Sequence, residues 1–236
     1  HYTHSGRRPK EGYPHMRTSY HEELDSIIDN LVHMAELVET AIKEASESLL
    51  TADLARAEAV VTDDAELDRI HEEMEYKCLS LLALQAPVAG ELRTIVSAIR
   101  VVFELARMGD LAAHVAKIAR LRYPAHAVPE EFEPSFKEMS EIAIAIIDLA
   151  RISLKDRDAK EAHRLAEIDS RMDDLRRDQF TRMLRKDSDI SIEGAVDVAL
   201  LGRYFERFAD HAVAVGRRVI YIITGEVPEG EDWPNA

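Results

Sequence analysis

Apolar positions recur three and four residues apart through six successive stretches of the chain, the period of amphipathic helices rather than strands. The first stretch, about residues 19–50, places Leu24, Ile27, Ile28, Leu31, Met34, Val38, Ile42 and Ala45 on one side. Thr51-Ala52-Asp53 breaks it, and Asp53 is suited to cap a second helix that reaches about residue 84. Gln85-Ala86-Pro87 interrupts again, because proline has no N–H to give and biases its predecessor away from α. A third helix is expected from there to about residue 122. Tyr123-Pro124 through Pro134 reads as a linker, and further helices are predicted over about residues 135–155, 158–185 and 192–223. Thr224-Gly225 ends the last one, with glycine where a left-handed cap is expected.

The second half repeats the plan of the first. Asp53-Leu54-Ala55-Arg56-Ala57 through Asp64 and Asp68 is echoed 105 positions later by Asp158-Ala159 through Asp169 and Asp173. Arg107-Met108-Gly109-Asp110-Leu111-Ala112 recurs at an offset of 100 as Arg207-Phe208-Ala209-Asp210-His211-Ala212. A period that long is no solenoid unit and reads as duplication of a whole small bundle. The expected fold is therefore all-α: two tandem three-helix bundles, residues 16–123 and 135–226, side by side around the linker 124–134. Residues 227–236 read as a loose tail. Residues 1–15 are rich in His, Gly and Pro, stop before Met16, and read as an expression remnant whose histidines stay out of any metal argument.

Charge narrows the partners. With 45 acidic against 30 basic residues and a net charge of −15, the chain would repel a phosphate backbone, so direct nucleic-acid binding is not expected. A single cysteine, Cys78, allows no internal disulfide and fits a reducing compartment. No apolar run approaches the roughly 20 residues that span a bilayer. A soluble, cytoplasmic protein is expected.

The candidate chemistry lies in the third helix of each copy. Glu206 and Asp210 stand four apart, on one face about a turn from each other, and two carboxylates so placed supply half a site for a hard or borderline cation. Arg203 and Arg207, three residues before each acid, offer the plainer reading of surface ion pairs. Asp64, Asp68, Asp169 and Asp173 are equivalent pairs in the second helices. They are either further ligands or a solvated face near a helix start.

The stretch Arg203-Tyr204-Phe205-Glu206-Arg207-Phe208-Ala209-Asp210-His211-Ala212, running into Val219-Ile220-Tyr221-Ile222-Ile223-Thr224-Gly225-Glu226, resembles the signature of the PhoU family. Leu84-Gln85-Ala86-Pro87-Val88-Ala89-Gly90-Glu91-Leu92-Arg93 is similar to the family's third-helix start, and residues 105–112 to its acidic motif. The resemblance implies E-x-x-x-D carboxylates on each third helix that hold metal ions. The motif is complete as Glu206 and Asp210. In the first copy Asp110 matches, but Ala106 stands where glutamate is expected, and Glu104 points to another side of the helix. Glu91 replaces the usual aspartate, so weaker binding is expected in that copy. Arg107, Arg207 and His211 belong to the motif, and His211 fits helix packing better than ligation.

PhoU-like proteins are regulators rather than enzymes. The resemblance implies restraint of phosphate-starvation signalling when phosphate is plentiful, by linking the ATPase subunit of the phosphate ABC transporter to a sensor histidine kinase. It also implies divalent or trivalent metal ions (zinc, iron, manganese or magnesium), a homodimer, and attachment at the membrane surface as one use for the metal. No phosphate-binding loop and no nucleophile–base pair oppose that reading. Two alternatives stay open: a metal-free helical interaction module with a vestigial acidic motif, which Ala106 favours, and a di-iron carboxylate enzyme. The enzyme needs E-x-x-H on two helices. No histidine here has glutamate three residues before it.

Overall fold

Residues 13–226 are described by the computed structural model, with side chains from residue 20 onward. The expected expression remnant lies largely outside them, as does the expected tail at 227–236. Six long helices and no strand occur among the described residues. Helix α1 spans Tyr13–Thr51, α2 Leu54–Gln85, α3 Ala89–Arg122, α4 Glu133–Asp156, α5 Ala159–Met183 and α6 Ile192–Thr224, with a short 3-10 turn at Glu130–Phe132 before α4.

The expected stripe on α1 is buried from Leu24 through Ala45 and continues to Leu49. The helix begins at Tyr13, upstream of the start that the apolar period marks. Polar side chains punctuate the helices where the repeat placed them. Asp53 accepts a hydrogen bond from the Arg56 N–H at 3.1 Å. Its counterpart Asp158 accepts from the N–H groups of Lys160 and Glu161. Satisfying these otherwise orphaned donors sets the start of α2 and of α5 at equivalent places. Ser191 caps α6 in the same way, and Gly225 ends it with φ 72°.

Helices α1, α2 and α3 pack on one another, as do α4, α5 and α6. The two bundles meet mainly through α3 against α6 and α1 against α4, which leaves α2 and α5 toward the outer flanks. The contact buries one continuous apolar core rather than two. Helices α3 and α6 run antiparallel. Arg122, at the end of α3, grips Asp197 near the start of α6 with two hydrogen bonds of 2.7 and 3.1 Å. Midway along the same contact His211 meets Glu104, and His114 stacks on Tyr204 with ring centroids 5.3 Å apart.

Candidate metal centres

On each outer helix two aspartates stand four residues apart, Asp64 and Asp68 on α2 and Asp169 and Asp173 on α5. A one-turn spacing puts both members on one face. The third helix of each bundle crosses that face and adds a carboxylate, Asp110 from α3 and Asp210 from α6. In both triads an oxygen from each of the three side chains lies within 4.8 Å of the others. The two sites are equivalents under the internal repeat.

The close approach has a local cause in the first copy. A Cβ at Gly109 would come within 2.5 Å of Leu67 Cδ1 and 3.3 Å of Asp64 Oδ1. The missing side chain therefore lets Leu67 of α2 lie against the α3 backbone beside Asp64, whereas the second copy brings Asp169 to Asp210 with Ala209 at this position. A cavity of about 170 Å³ between α1 and α2 reaches the same spot, lined by Thr40, Glu44, Asp63, Asp64, Leu67 and Gly109 among others.

Like charges at such separations repel by roughly 3 kcal/mol per pair at an effective dielectric near 20. The electrostatics respond accordingly. Burial, then Asp110 and Asp68, pushes the Asp64 carboxyl up to about 7. Burial, then Asp210, Asp173 and Glu206, does the same at Asp169, also to about 7. Burial first and neighbouring acids second raise Asp173 and Asp210 as well. One oxygen of each inner carboxylate, Asp64 Oδ1 and Asp169 Oδ1, is fully buried with no hydrogen-bond partner. Buried acceptors are normally satisfied, and an oxygen so placed in both copies can be satisfied by a proton shared with Asp110 or Asp210 or by a cation. An oxygen-only donor set of this kind fits magnesium, manganese or iron.

The outer pairs thus belong to acidic clusters, and the reading of Asp64 and Asp169 as a solvated face does not hold. Glu206 adjoins the second cluster and raises all three of its aspartates, yet its carboxylate is turned to Arg203. Arg107 pairs with Asp110 at 3.1 Å, whereas Arg207 is exposed and outside the cluster. Glu91 is not brought in. It sits in the first turn of α3 at 3.7 Å from His21, about 28 Å before Asp110 at the helical rise. His211 contacts Glu104 between the bundles rather than a cluster. The signal that marks the inner carboxylates in the sequence is the acidic i,i+4 pair repeated at one offset.

Among the described residues no helix is long and apolar enough to cross a membrane. The family profile described as PhoU domain matches residues 31–119 and again 136–219. A Mycobacterium tuberculosis protein named phosphate-specific transport system accessory protein PhoU homolog 2 is 46% identical over 90% of this chain and 100% of its own length. PhoU homolog 1 of the same organism is 44% identical over 92% of this chain and 98% of its own. The crystal structure of PhoU from Pseudomonas aeruginosa superposes with a TM-score of 0.79 at 25% identity, covering 88% of this chain and 100% of that one. The phosphate transport system regulatory protein PhoU from Streptococcus pneumoniae gives 0.81 at 23% identity over 89% and 99%, a likeness of fold. These names are those of accessory and regulatory proteins, not of enzymes.

Proposed function

The chain belongs to the PhoU family, and from that premise we propose that it is a metal-binding cytoplasmic adaptor that restrains phosphate-starvation signalling while phosphate is abundant. Its partners in this reading are the ATPase subunit of the phosphate ABC transporter and a sensor histidine kinase. It works as a homodimer that can associate with the membrane surface through its metal sites.

The observation that carries the metal part is the pair of orphaned buried oxygens, Asp64 Oδ1 and Asp169 Oδ1, each amid two more carboxylates. Asp64, Asp68 and Asp110 would hold one ion group, and Asp169, Asp173 and Asp210 with Glu206 nearby the other. A bound cation neutralises the mutual repulsion and gives each inner oxygen its partner. The adaptor part is supported by apolar side chains left exposed at equivalent helix ends. Leu84 and Leu184 are each 80% exposed, and Ile192 is 86% exposed. Helical surfaces of this kind suit docking against partner helices.

Metal analysis of protein purified without chelator tests the first part. Stoichiometric metal is expected, and Asp169→Asn combined with Asp210→Asn should remove the share held by the second copy. Metal-free protein that also fails to bind added manganese, iron, zinc or magnesium would leave the metal-free interaction module instead. Pull-down with the kinase's helical dimerisation region and with the transporter ATPase tests the second part, and capture of neither would overturn it.

A further inference from the structure

Helix α3 packs against α1, α2 and α6. In a chain of net charge −15, the side it leaves toward solvent over residues 92–107 is basic and apolar. Arg93, Arg100 and Arg107 stand seven residues apart, so a guanidinium recurs every two turns with a drift of only about 20° per step. Arg100 is exposed, and Arg93 and Arg107 are half-buried. Leu92, Val96 and Phe103 fall on the same side, within about 100° of the arginines at 3.6 residues per turn. Leu92 is 40% exposed and Phe103 49% exposed. The second copy does not repeat the stripe: it has Glu193 and Leu200 at the equivalent places, and only Arg207 is basic.

Arg93 marks where the stripe meets the end of α6. A Cβ at Gly225 would lie 3.2 Å from Arg93 Cζ, so the guanidinium rests on the glycine that closes α6. Its Nε has no hydrogen-bond partner. The chain leaves α6 there, with the Glu226 N–H donating back to Thr224 Oγ1 at 3.1 Å. The sequence that follows is Glu226-Val227-Pro228-Glu229-Gly230-Glu231-Asp232-Trp233, with four carboxylates, no basic side chain and the only tryptophan of the chain. Reach decides what this segment can cover. Eight residues separate Gly225 from Trp233, about 27 Å when extended. Along α3, Arg93 to Phe103 is about 15 Å and Arg93 to Arg107 about 21 Å at the helical rise. Ile192, at the other end of α6, is about 48 Å from Gly225 and out of range.

We propose that residues 226–236 fold back along α3 of the same chain, with their carboxylates over Arg93 and Arg100 and Trp233 packed on Phe103 and Leu92. Charge attraction and apolar contact act together. Exposed ion pairs alone contribute little and are screened by salt, whereas aromatic packing persists in salt. Arg107 is paired with Asp110 at 3.1 Å, which leaves Arg93 and Arg100 as the main cationic contacts. The consequence is a self-covered face. A partner that docks on this side of α3 must first displace the segment, while the apolar residues at the start of α6 stay open. Neither effect depends on metal at the acidic clusters.

The test uses the full chain, with Trp233 as the sole indole reporter, and a labelled peptide of residues 226–236. Trp233 should be blue-shifted and protected from acrylamide. Glu229→Lys, Glu231→Lys and Asp232→Lys together should expose it and let the chain bind the added peptide. The unaltered chain should bind that peptide at least ~10-fold more weakly, because its tethered copy competes at an effective concentration on the order of mM. Arg93→Glu with Arg100→Glu should also expose Trp233. Combining these with the three lysine substitutions should restore protection, a rescue that misfolding cannot give. Phe103→Ala should loosen Trp233 with every charge in place. Oxidation of the variant Arg100→Cys with Glu231→Cys should join the two positions within one chain. A solvent-exposed Trp233 in the unaltered chain, protection that the arginine reversals leave unchanged, or a disulfide formed only between two chains would overturn the proposal. The metal and adaptor readings stand or fall on their own experiments.

Discussion

Asp64 and Asp169 couple the clusters to stability in a direction that follows from their burial. A carboxyl raised in the folded chain binds its proton more tightly there than in the unfolded chain. Its contribution is fully present below the unfolded value near 4 and is lost as pH rises through the folded value, about 7 for both residues. In chelator the melting temperature should therefore fall between pH 5 and pH 8. Asp169→Asn should flatten that fall and stabilise the metal-free protein at pH 8 by about 1 kcal/mol, since an uncompensated buried charge is removed. With saturating manganese the dependence should reverse, because the ion needs the carboxylates deprotonated. Thermal melts across pH with and without metal check this, and a metal-free protein that gains stability toward pH 8 would contradict it. The aspartate pairs were legible from their spacing and repetition. Their burial was not, because it depends on where α3 and α6 cross. Glu206 shows the converse: its spacing to Asp210 marks it as a ligand and its spacing to Arg203 as an ion pair, and the fold turns its carboxylate to Arg203.

At the level of helices the apolar period and the capping aspartates carry nearly all the information. Asp53 was recognisable as a cap because a short acceptor before an amphipathic run satisfies free N–H groups, and Asp158, its echo in the repeat, caps α5 in the same way. Contacts between helices were less accessible. Glu104 and His211 are 107 residues apart and meet only because α3 and α6 pack antiparallel. Arg122 and Asp197 likewise give no local sign of each other. The α2–α3 approach at Gly109 yields a prediction of this scale. Alanine in a helix interior gains about 1 kcal/mol over glycine. The new methyl group would sit 2.5 Å from Leu67 Cδ1, and Leu67 is only 3% exposed, so it has little room to move. Overpacking of this sort costs about 1–3 kcal/mol and should win. Gly109→Ala is expected to lower stability by about 1 kcal/mol in denaturant titrations. Metal binding should change little at either cluster, because Asp64 Oδ1 at 3.3 Å need give only a few tenths of an ångström and the second cluster forms with Ala209 at the equivalent place. A more stable variant would show that Leu67 yields to a Cβ at this position without cost.

The whole molecule joins two repeated bundles through one core, and that connection governs how far the effect of a bound ion extends. Apolar residues of α1, α3, α4 and α6 belong to the same continuous cluster, and the buried Asp197 carboxylate ties α6 to Arg122 of α3. Neither bundle can unfold without exposing the face it presents to the other. Cooperative unfolding in a single transition is therefore expected, although the sequence is a tandem repeat. Ligand linkage then makes an ion at one cluster stabilise the entire chain. At a free metal concentration 100 times its dissociation constant the gain is about 2.7 kcal/mol, which for a chain of this size raises the melting temperature by roughly 5–11 °C. With the second cluster disabled by Asp169→Asn and Asp173→Asn, metal at the first cluster should still shift the sole transition upward by that amount. Asp197→Ala leaves Arg122 without its main partner and loosens the contact between bundles. In that variant the same metal should begin to separate the melt into two steps, because only the bundle that holds the ion is then stabilised. Differential scanning calorimetry distinguishes these outcomes. Two transitions in the chain with Asp197 intact would mean that the bundles are energetically independent and that metal at one cluster is not felt at the other.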